Sequence, residues 1–431
     1  MYLLYNILLH ISFILLLPYF LFKIIFIGKY REGISERFGF IPIGKVSSDK
    51  KRLWFHAVSV GETKAVMPLI KRLKAVMPDI DIIFSTTTST GNEIARSYQF
   101  IDSVIYFPLD FSWAVKRVID KIKPIAFIVV EKEVWPNILN ILGRRNIPVI
   151  VVNGKVSNRS FKRYNLFRFF FKRVFKNISF FCAQRIKDYE RITALGIEPE
   201  RVSITGNVKF DMETSELTDD GKKSIMQALG IKTSDTVFIA GSTHRGEEEI
   251  ILDAFDKLKR EMQNLKLIIA PRHPERFKEV EDLIRAKGFS ILKRSETLRS
   301  PLSALRSFDV ILLDTMGELG MIYALASAAF VGGSFLSDVG GHNLLEPALY
   351  KKPVLFGPYI YTFSEGADIL TKGGGGIMAK DRKGLEERLK QLFLHPDIAQ
   401  EIGKAGYVIL QANRGATEKS LAVITKMLDS R

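Results

Sequence analysis

Cysteine is nearly missing: among 431 residues there is one, Cys182, inside the apolar run ISFFCA. A single thiol excludes an internal disulfide and fits a reducing compartment. Its plain reading is a small buried core residue. Zinc-type Cys/His spacings are also missing. A D-x-D form occurs at Asp79-Ile80-Asp81, but it precedes a strand pattern and so falls at the wrong end of a parallel sheet. The GGGG run at 373–376 lacks the strand-then-helix setting of a dinucleotide fingerprint and reads as a turn. No metal and no cofactor are expected. Acidic residues are under-represented too: 47 Asp and Glu against 63 Lys and Arg leave a net charge of +16. That balance favours an acidic partner, whether nucleic acid, anionic lipid or a phosphorylated substrate.

What is present is globular in kind. Hydrophobic residues make up 47% and charged residues 26% of the chain, which excludes disorder. The length predicts two domains and an appendage. The appendage is the N-terminus. Residues 2–27 are apolar apart from Asn6, His10, Ser12, Pro18 and Lys23, long enough to span a bilayer or to lie firmly in one. A secretory signal would show a basic start, a shorter apolar stretch and a small-residue cleavage site, and none is here. Lys29, Tyr30, Arg31 and Arg37 follow, and the positive-inside rule then places the body in the cytoplasm. A buried core helix is the competing reading, disfavoured because core helices rarely stay apolar on every face.

After the anchor, short β-branched strands alternate with helical patterns at 53–58, 81–86, 126–131 and 148–153. The pattern restarts at 236–242, 266–272, 309–314, 328–333 and 353–357. Strands apolar on both faces predict parallel sheets covered on both sides. The polar stretch 209–224 separates the two sets and reads as a linker. The expected fold is α/β, with two doubly wound Rossmann-like domains and a site in a cleft at the strand C-termini. The expected boundaries are an anchor at 1–28, a first Rossmann-like domain at 29–208, the linker at 209–224 and a second Rossmann-like domain at 225–431.

Chemistry should then sit where strands end. HAVSVGET (56–63) closes the first strand with small residues and puts Glu62 at a helix start, where a carboxylate is either functional or only favourable to the helix dipole. EKEVWPN (131–137) ends the third strand, and if still extended Glu131 and Glu133 point the same way. In the second half, Ser242 and Thr243 are candidate helix caps and further ligand contacts, with Arg245 available for phosphate. Pro271, Arg272 and His273 end another strand, and such a cation pair suits a phosphate-bearing leaving group. Met316, Gly317 and Glu318 form a strand–turn–helix junction. Gly341, His342, Asn343, Leu344, Leu345 and Glu346 begin a helix whose amides can bind phosphate while a carboxylate grips ribose. The run at 161–181 interleaves Lys and Arg with Phe. It reads as an amphipathic helix at a membrane surface, with a nucleic-acid stacking patch and an ordinary core-facing helix as alternatives.

Taken in order, HAVSVGE, VVEKEVWPN, GNVKFD, APRH, DTMGELG and GGHNLLEP resemble the motif set of the 3-deoxy-D-manno-octulosonic acid (Kdo) transferases, along the chain from the anchor to the C-terminal helices. The resemblance implies a GT-B fold, a CMP-Kdo donor, a lipid A precursor as acceptor, and work at the cytoplasmic face of the inner membrane, against its anionic leaflet and without nucleic acid. It implies Glu62 as general base, with Glu131 and Lys209 supporting the transition state. It also implies that Arg272 and His273, the segment from Met316 to Glu318, and the segment from Asn343 to Glu346 hold CMP. The competing classes are another nucleotide-sugar transferase or sugar epimerase, a nucleic-acid binder suggested by charge, and a non-catalytic membrane scaffold.

Overall fold

The computed structural model describes residues 1–26, 31–42, 50–131, 133–212, 217–300 and 307–429. Strands are β1 (Arg52–Ala57), β2 (Asp81–Thr86), β3 (Ser103–Tyr106), β4 (Ala126–Val130), β5 (Val149–Gly154), β6 (Phe180–Ala183) and β7 (Val202–Ile204), then β8 (Thr236–Thr243), β9 (Leu265–Pro271), β10 (Ile291–Lys293), β11 (Val310–Leu312), β12 (Ala328–Val331), β13 (Val354–Phe356) and β14 (Gly376–Met378). They form two parallel seven-stranded sheets, ordered β3-β2-β1-β4-β5-β6-β7 and β10-β11-β9-β8-β12-β13-β14.

The side-chain period of two explains why each sheet is buried on both faces. In β1, Leu53, Phe55 and Ala57 enter one core while Trp54 enters the other. In β4, Ala126, Ile128 and Val130 divide from Phe127 and Val129 in the same way. The second sheet repeats the pattern, with Phe238 and Ala240 on one side of β8 and Val237 and Ile239 on the other. Chain order reverses between β1 and β4, and again between β8 and β12. Those are the switch points at which doubly wound sheets bind ligands.

The chain divides into two compact units, Met1–Met212 with Asn413–Arg431, and Glu213–Ala412. The expected second domain at 225–431 is thus too long at its end. The helix Ala416–Asp429 belongs to the first unit, because Leu421 and Ile424 complete the core beside β1 and β4. Asp211 ties the return of the chain in place, accepting the Gly415 N–H at 2.7 Å and the Thr417 N–H. The expected linker is also partly built. Val208–Asp211 is a short 3-10 helix of the first unit, and a helix begins at Asp219; 213–216 lie outside the described residues.

Two further expectations change. The run at 161–181 is not one helix: Asn158–Leu166 and Arg168–Phe175 break at Phe167, and its end enters β6. Cys182 is a fully buried member of β6, and burial pushes its thiol up to about 12. The apolar N-terminus forms the helix Tyr2–Phe26, with none of its residues buried; 27 and 28 lie outside the described residues. It is long and apolar enough to cross a membrane by length and composition. It also docks on its own unit. Tyr5 donates to Asp110 at 2.9 Å, Asn6 and Asn137 exchange amide hydrogen bonds, and Phe13 meets Phe111 edge-on. Phe170 packs against both Tyr2 and Tyr5, so the N-terminal helix and the aromatic-basic helices share one side of this unit.

Candidate active site

In the first unit the site grows from the ends of β1 and β4, neighbours in the sheet. After β1 the chain turns through Val58 and Ser59 into the helix Val60–Val76, with Ser59 as its N-cap. Glu62 lies in the first turn and folds back so that its Oε2 accepts the Val58 N–H at 2.7 Å. Its residue exposure is only 7%. Burial raises its pKa to about 7, assisted by Glu131 and Glu133 and opposed by the Val58 amide. A helix start normally favours an ionised carboxylate. Here burial and like charge outweigh that, leaving a carboxyl poised to exchange a proton near neutrality.

Glu131 follows β4 with φ of 65°, a left-handed conformation rare for a residue with a side chain. The expectation of an extended chain that aims Glu131 and Glu133 alike therefore fails, because the backbone turns at Glu131. The turn brings its carboxylate to Lys209, whose Nζ lies 2.9 Å from Oε1. Lys209 is held by its own N–H bonding to Asn207. Asn153 is a residue that sequence reasoning missed. Fully buried, with φ of 56°, it accepts the Val208 N–H at 3.2 Å and receives the Gln184 amide on its carbonyl at 2.9 Å. It stands under the Glu131–Lys209 pair. The only signal was an asparagine closing an apolar strand, a residue that tolerates left-handed φ. Below the site His56 is fully buried, stacked on Phe107 with 3.7 Å between centroids, and burial takes its pKa down to about 3.

In the second unit the ends of β8, β9 and β12 converge. Ser242 and Thr243 lie inside β8, and the following helix starts at Glu247 after Gly246, so neither residue caps it. Arg245 is engaged, with two bonds of 2.9 and 2.7 Å to Glu279. Glu247 has the strongest environment here, and the sequence did not single it out. It is completely buried and accepts N–H groups from His244, Gly333, Ser334 and Phe335 at 3.1, 2.6, 3.0 and 3.0 Å. It thereby pins the glycine-rich turn after β12 to the start of its own helix. Burial raises its pKa, against the opposing pull of these amides.

Three histidines meet above that turn. The Nε2 atoms of His244 and His342 are 2.8 Å apart, and His273 meets His244 edge-on. Arg272 follows Pro271 at the end of β9, its N–H bonded to the Thr243 carbonyl. Burial and mutual repulsion, with Arg272 adding to it, lower His244 to about 4 and His342 to about 3. The His244 and His342 imidazoles are neutral as they stand, and an anion beside them would favour their protonation. Gly340 and Gly341 take φ of 82° and 78°, allowing the chain to reach His342. The helix expected after them is short, Leu345–Leu349. Asn343 accepts the Leu345 N–H and donates to Glu346 at 3.3 Å, while Leu344 and Leu345 are buried in the core and offer only backbone to a ligand. Met316 is exposed and Gly317 has φ of 90° in open space. Glu318 is gripped by Arg294 at 2.7 Å and by Thr315, which hold its carboxyl below the usual range. Among the described residues no group of three His, Cys, Asp or Glu has the arrangement to hold a metal ion.

Residues 32–212 match the family model described as 3-deoxy-D-manno-octulosonic-acid transferase. The chain is 36% identical over 406 residues to the 3-deoxy-D-manno-octulosonic acid transferase of Haemophilus influenzae, covering 93% of this chain and 92% of that protein. It is 31% identical to the protein of the same name from Chlamydophila psittaci, covering 97% and 94%. Among solved structures it is similar to a UDP-GlcNAc 2-epimerase from Neisseria meningitidis bound to UDP-GlcNAc, with a TM-score of 0.57 at 13% identity, covering 88% of this chain and all of that one. A glycosyltransferase from Rickettsia africae gives the same TM-score at 13% identity, covering 89% and 98%. Epimerases and transferases share this GT-B architecture, so fold alone does not choose between them. The sequence kinship does: the chain belongs to the 3-deoxy-D-manno-octulosonic acid transferase family.

Proposed function

We propose that the protein transfers Kdo from CMP-Kdo to a hydroxyl of a lipid A precursor, with inversion at the anomeric carbon, in lipopolysaccharide core assembly. The observation that carries the reading is Glu62: a buried carboxyl held by the Val58 amide, with a pKa raised to about 7. It takes the proton of the acceptor hydroxyl as that oxygen attacks the anomeric carbon. The bond from that carbon to the CMP phosphate oxygen breaks, and CMP departs with the electron pair. Arg272, His273 and the neighbouring imidazoles are suited to the charge that grows on the phosphate. The Glu131–Lys209 pair lends Lys209 a fixed position from which its ammonium can meet a carboxylate or phosphate of the donor.

The anchor supports work on a lipid. Leu166, Phe167 and Phe169 are exposed on the helices beside it, among Arg163, Arg168 and Arg173. Apolar and basic side chains together suit an anionic leaflet, each cation near the surface contributing about 1 kcal/mol. In this reading the protein sits at the cytoplasmic face of the inner membrane. The test is Glu62→Ala, with lipid products followed by mass spectrometry from CMP-Kdo and a tetraacyl lipid A precursor. Transfer should fall by roughly 10²–10⁴-fold with donor affinity within about twofold. Near-normal turnover would remove Glu62 as the base, and a clear preference for a UDP-sugar would overturn the donor assignment.

A further inference from the structure

The second unit holds a cavity of about 380 Å³ at the end of its sheet opposite the histidine cluster. It is lined by residues at the N-terminal starts of the strands, including Thr236 on β8, Ser327 before β12, and Lys351 and Lys352 before β13. The helix Pro396–Ala412 begins against it and contributes Lys404. Three of the lining residues are lysines and none is an aspartate or glutamate.

Other lysines of this unit do have carboxylate partners. Lys257 reaches Glu386 at 2.9 Å, Lys259 reaches Asp309 at 3.4 Å and Lys390 reaches Glu261 at 2.5 Å. Lys352 and Lys404 form no ion pair among the described residues. Lys351 directs its ammonium over the Tyr407 ring, 4.9 Å from the centroid. Lys352 is mostly enclosed and has Lys222 as its charged neighbour; burial first and that repulsion second lower its pKa to about 8. A half-buried ammonium without a counter-charge is unfavourable, and a bound anion reverses the sign of that contribution. Donors besides the amines are at hand. Ser327 accepts the Val237 N–H on its oxygen at 3.1 Å, so its own O–H is left to donate. The amides of the first turn of Pro396–Ala412 add a favourable dipole.

We propose that this cavity binds a small phosphorylated anion, at a site separate from the one that holds the sugar donor. Its volume exceeds what a lone phosphate fills and sits in the range of small-molecule sites. The phosphoryl group lies between Lys352 and Lys404, and the body of the ligand rests against the apolar wall made by Phe393 and Pro396. The proposal does not depend on which sugar the protein transfers.

The test uses the full-length protein in detergent with inorganic pyrophosphate as probe, at constant ionic strength. A brief amine-acylation pulse at pH 8 is read lysine by lysine by peptide mass spectrometry. Pyrophosphate should protect Lys352 and Lys404 saturably, while Lys383, exposed on another helix, stays unprotected. Lys352→Gln and Lys404→Gln should each weaken that affinity roughly tenfold, with CMP affinity unchanged. Equal protection of all lysines, protection that never saturates, or unchanged affinity in both variants would overturn the site. Protection by anionic vesicles but not by pyrophosphate would assign the cavity to a lipid headgroup and overturn it as a soluble-ligand site. Labelling of the unmodified protein keeps the outcome readable if either variant folds poorly.

Discussion

The two units hold their polar groups under opposite electrostatic stress. In the first, carboxyls crowd together: Glu62 is buried near Glu131 and Glu133, and its pKa rises to about 7. In the second, imidazoles crowd together: His244 and His342 are partly buried near His273 and Arg272, and their pKa values fall to about 4 and about 3. Burial is the first cause in both places, and like charge reinforces it. In the proposed function the first suits accepting a proton and the second suits meeting negative charge. Neither arrangement is the most stable one its residues could have, as is usual where structure is spent on function.

The comparison breaks most visibly at Glu247. Its replacement by Ala leaves buried amides without an acceptor, which should destabilise the second unit by about 3 kcal/mol or more. Calorimetry should show one of two transitions moving, that of residues 213–412. Equal loss in both would mean that the units do not melt separately. The next effect is on the donor. Arg272→Ala should weaken CMP-Kdo binding roughly 10–100-fold, the loss of a charge-assisted contact. If a bound phosphate favours the protonated forms of His244 and His342, binding takes up protons from solvent, and affinity should rise as pH falls from 8 to 6. A flat profile by titration calorimetry in buffers of different ionisation enthalpy would separate the histidines from the donor site.

A smaller effect sharpens the first unit. The folded state holds the Glu62 proton more tightly than the unfolded chain, whose carboxyl titrates at 4.5. Stability from this group is therefore fully present below pH 4.5 and lost as pH rises through about 7. Glu62→Gln, which keeps an acceptor for the Val58 amide, should raise Tm by roughly 2–4 °C at pH 8 and by nothing at pH 4. A gain that is the same at both values would point to packing. The smallest effect is at the N-terminal helix. Tyr5→Phe removes the hydrogen bond to Asp110 and should cost about 1 kcal/mol of local stability, seen as faster amide exchange in the first turns of Tyr2–Phe26. Unchanged exchange would make that helix a tether without a seat.

Legibility followed physical locality. Strands such as β1, β4 and β8 announced themselves because both faces are apolar. The short edge strands β3, β7, β10 and β14, three or four residues each, were missed, because so few positions carry no period to read. The run ending in β6 misled for a related reason: its aromatic content served a helix and a strand equally well. Ser242 and Thr243 have the chemistry of helix caps, and only the continuation of β8 through them shows that they are not.

By itself the sequence determined the two-sheet architecture, the apolar N-terminal helix and the set of strand ends at which Glu62, Glu131, Arg272 and His342 fall. These follow from periodicity and from small or polar residues placed after apolar runs. Tertiary structure alone decided that the last helix returns to the first unit and that Asn153 underlies Glu131. It also decided that Glu247 gathers four amides and that Lys352 and Lys404 share a cavity without a counter-charge. Those facts depend on groups tens to hundreds of residues apart meeting where water is excluded. Burial, the largest of the forces on their charges, is a property that no local stretch of sequence carries.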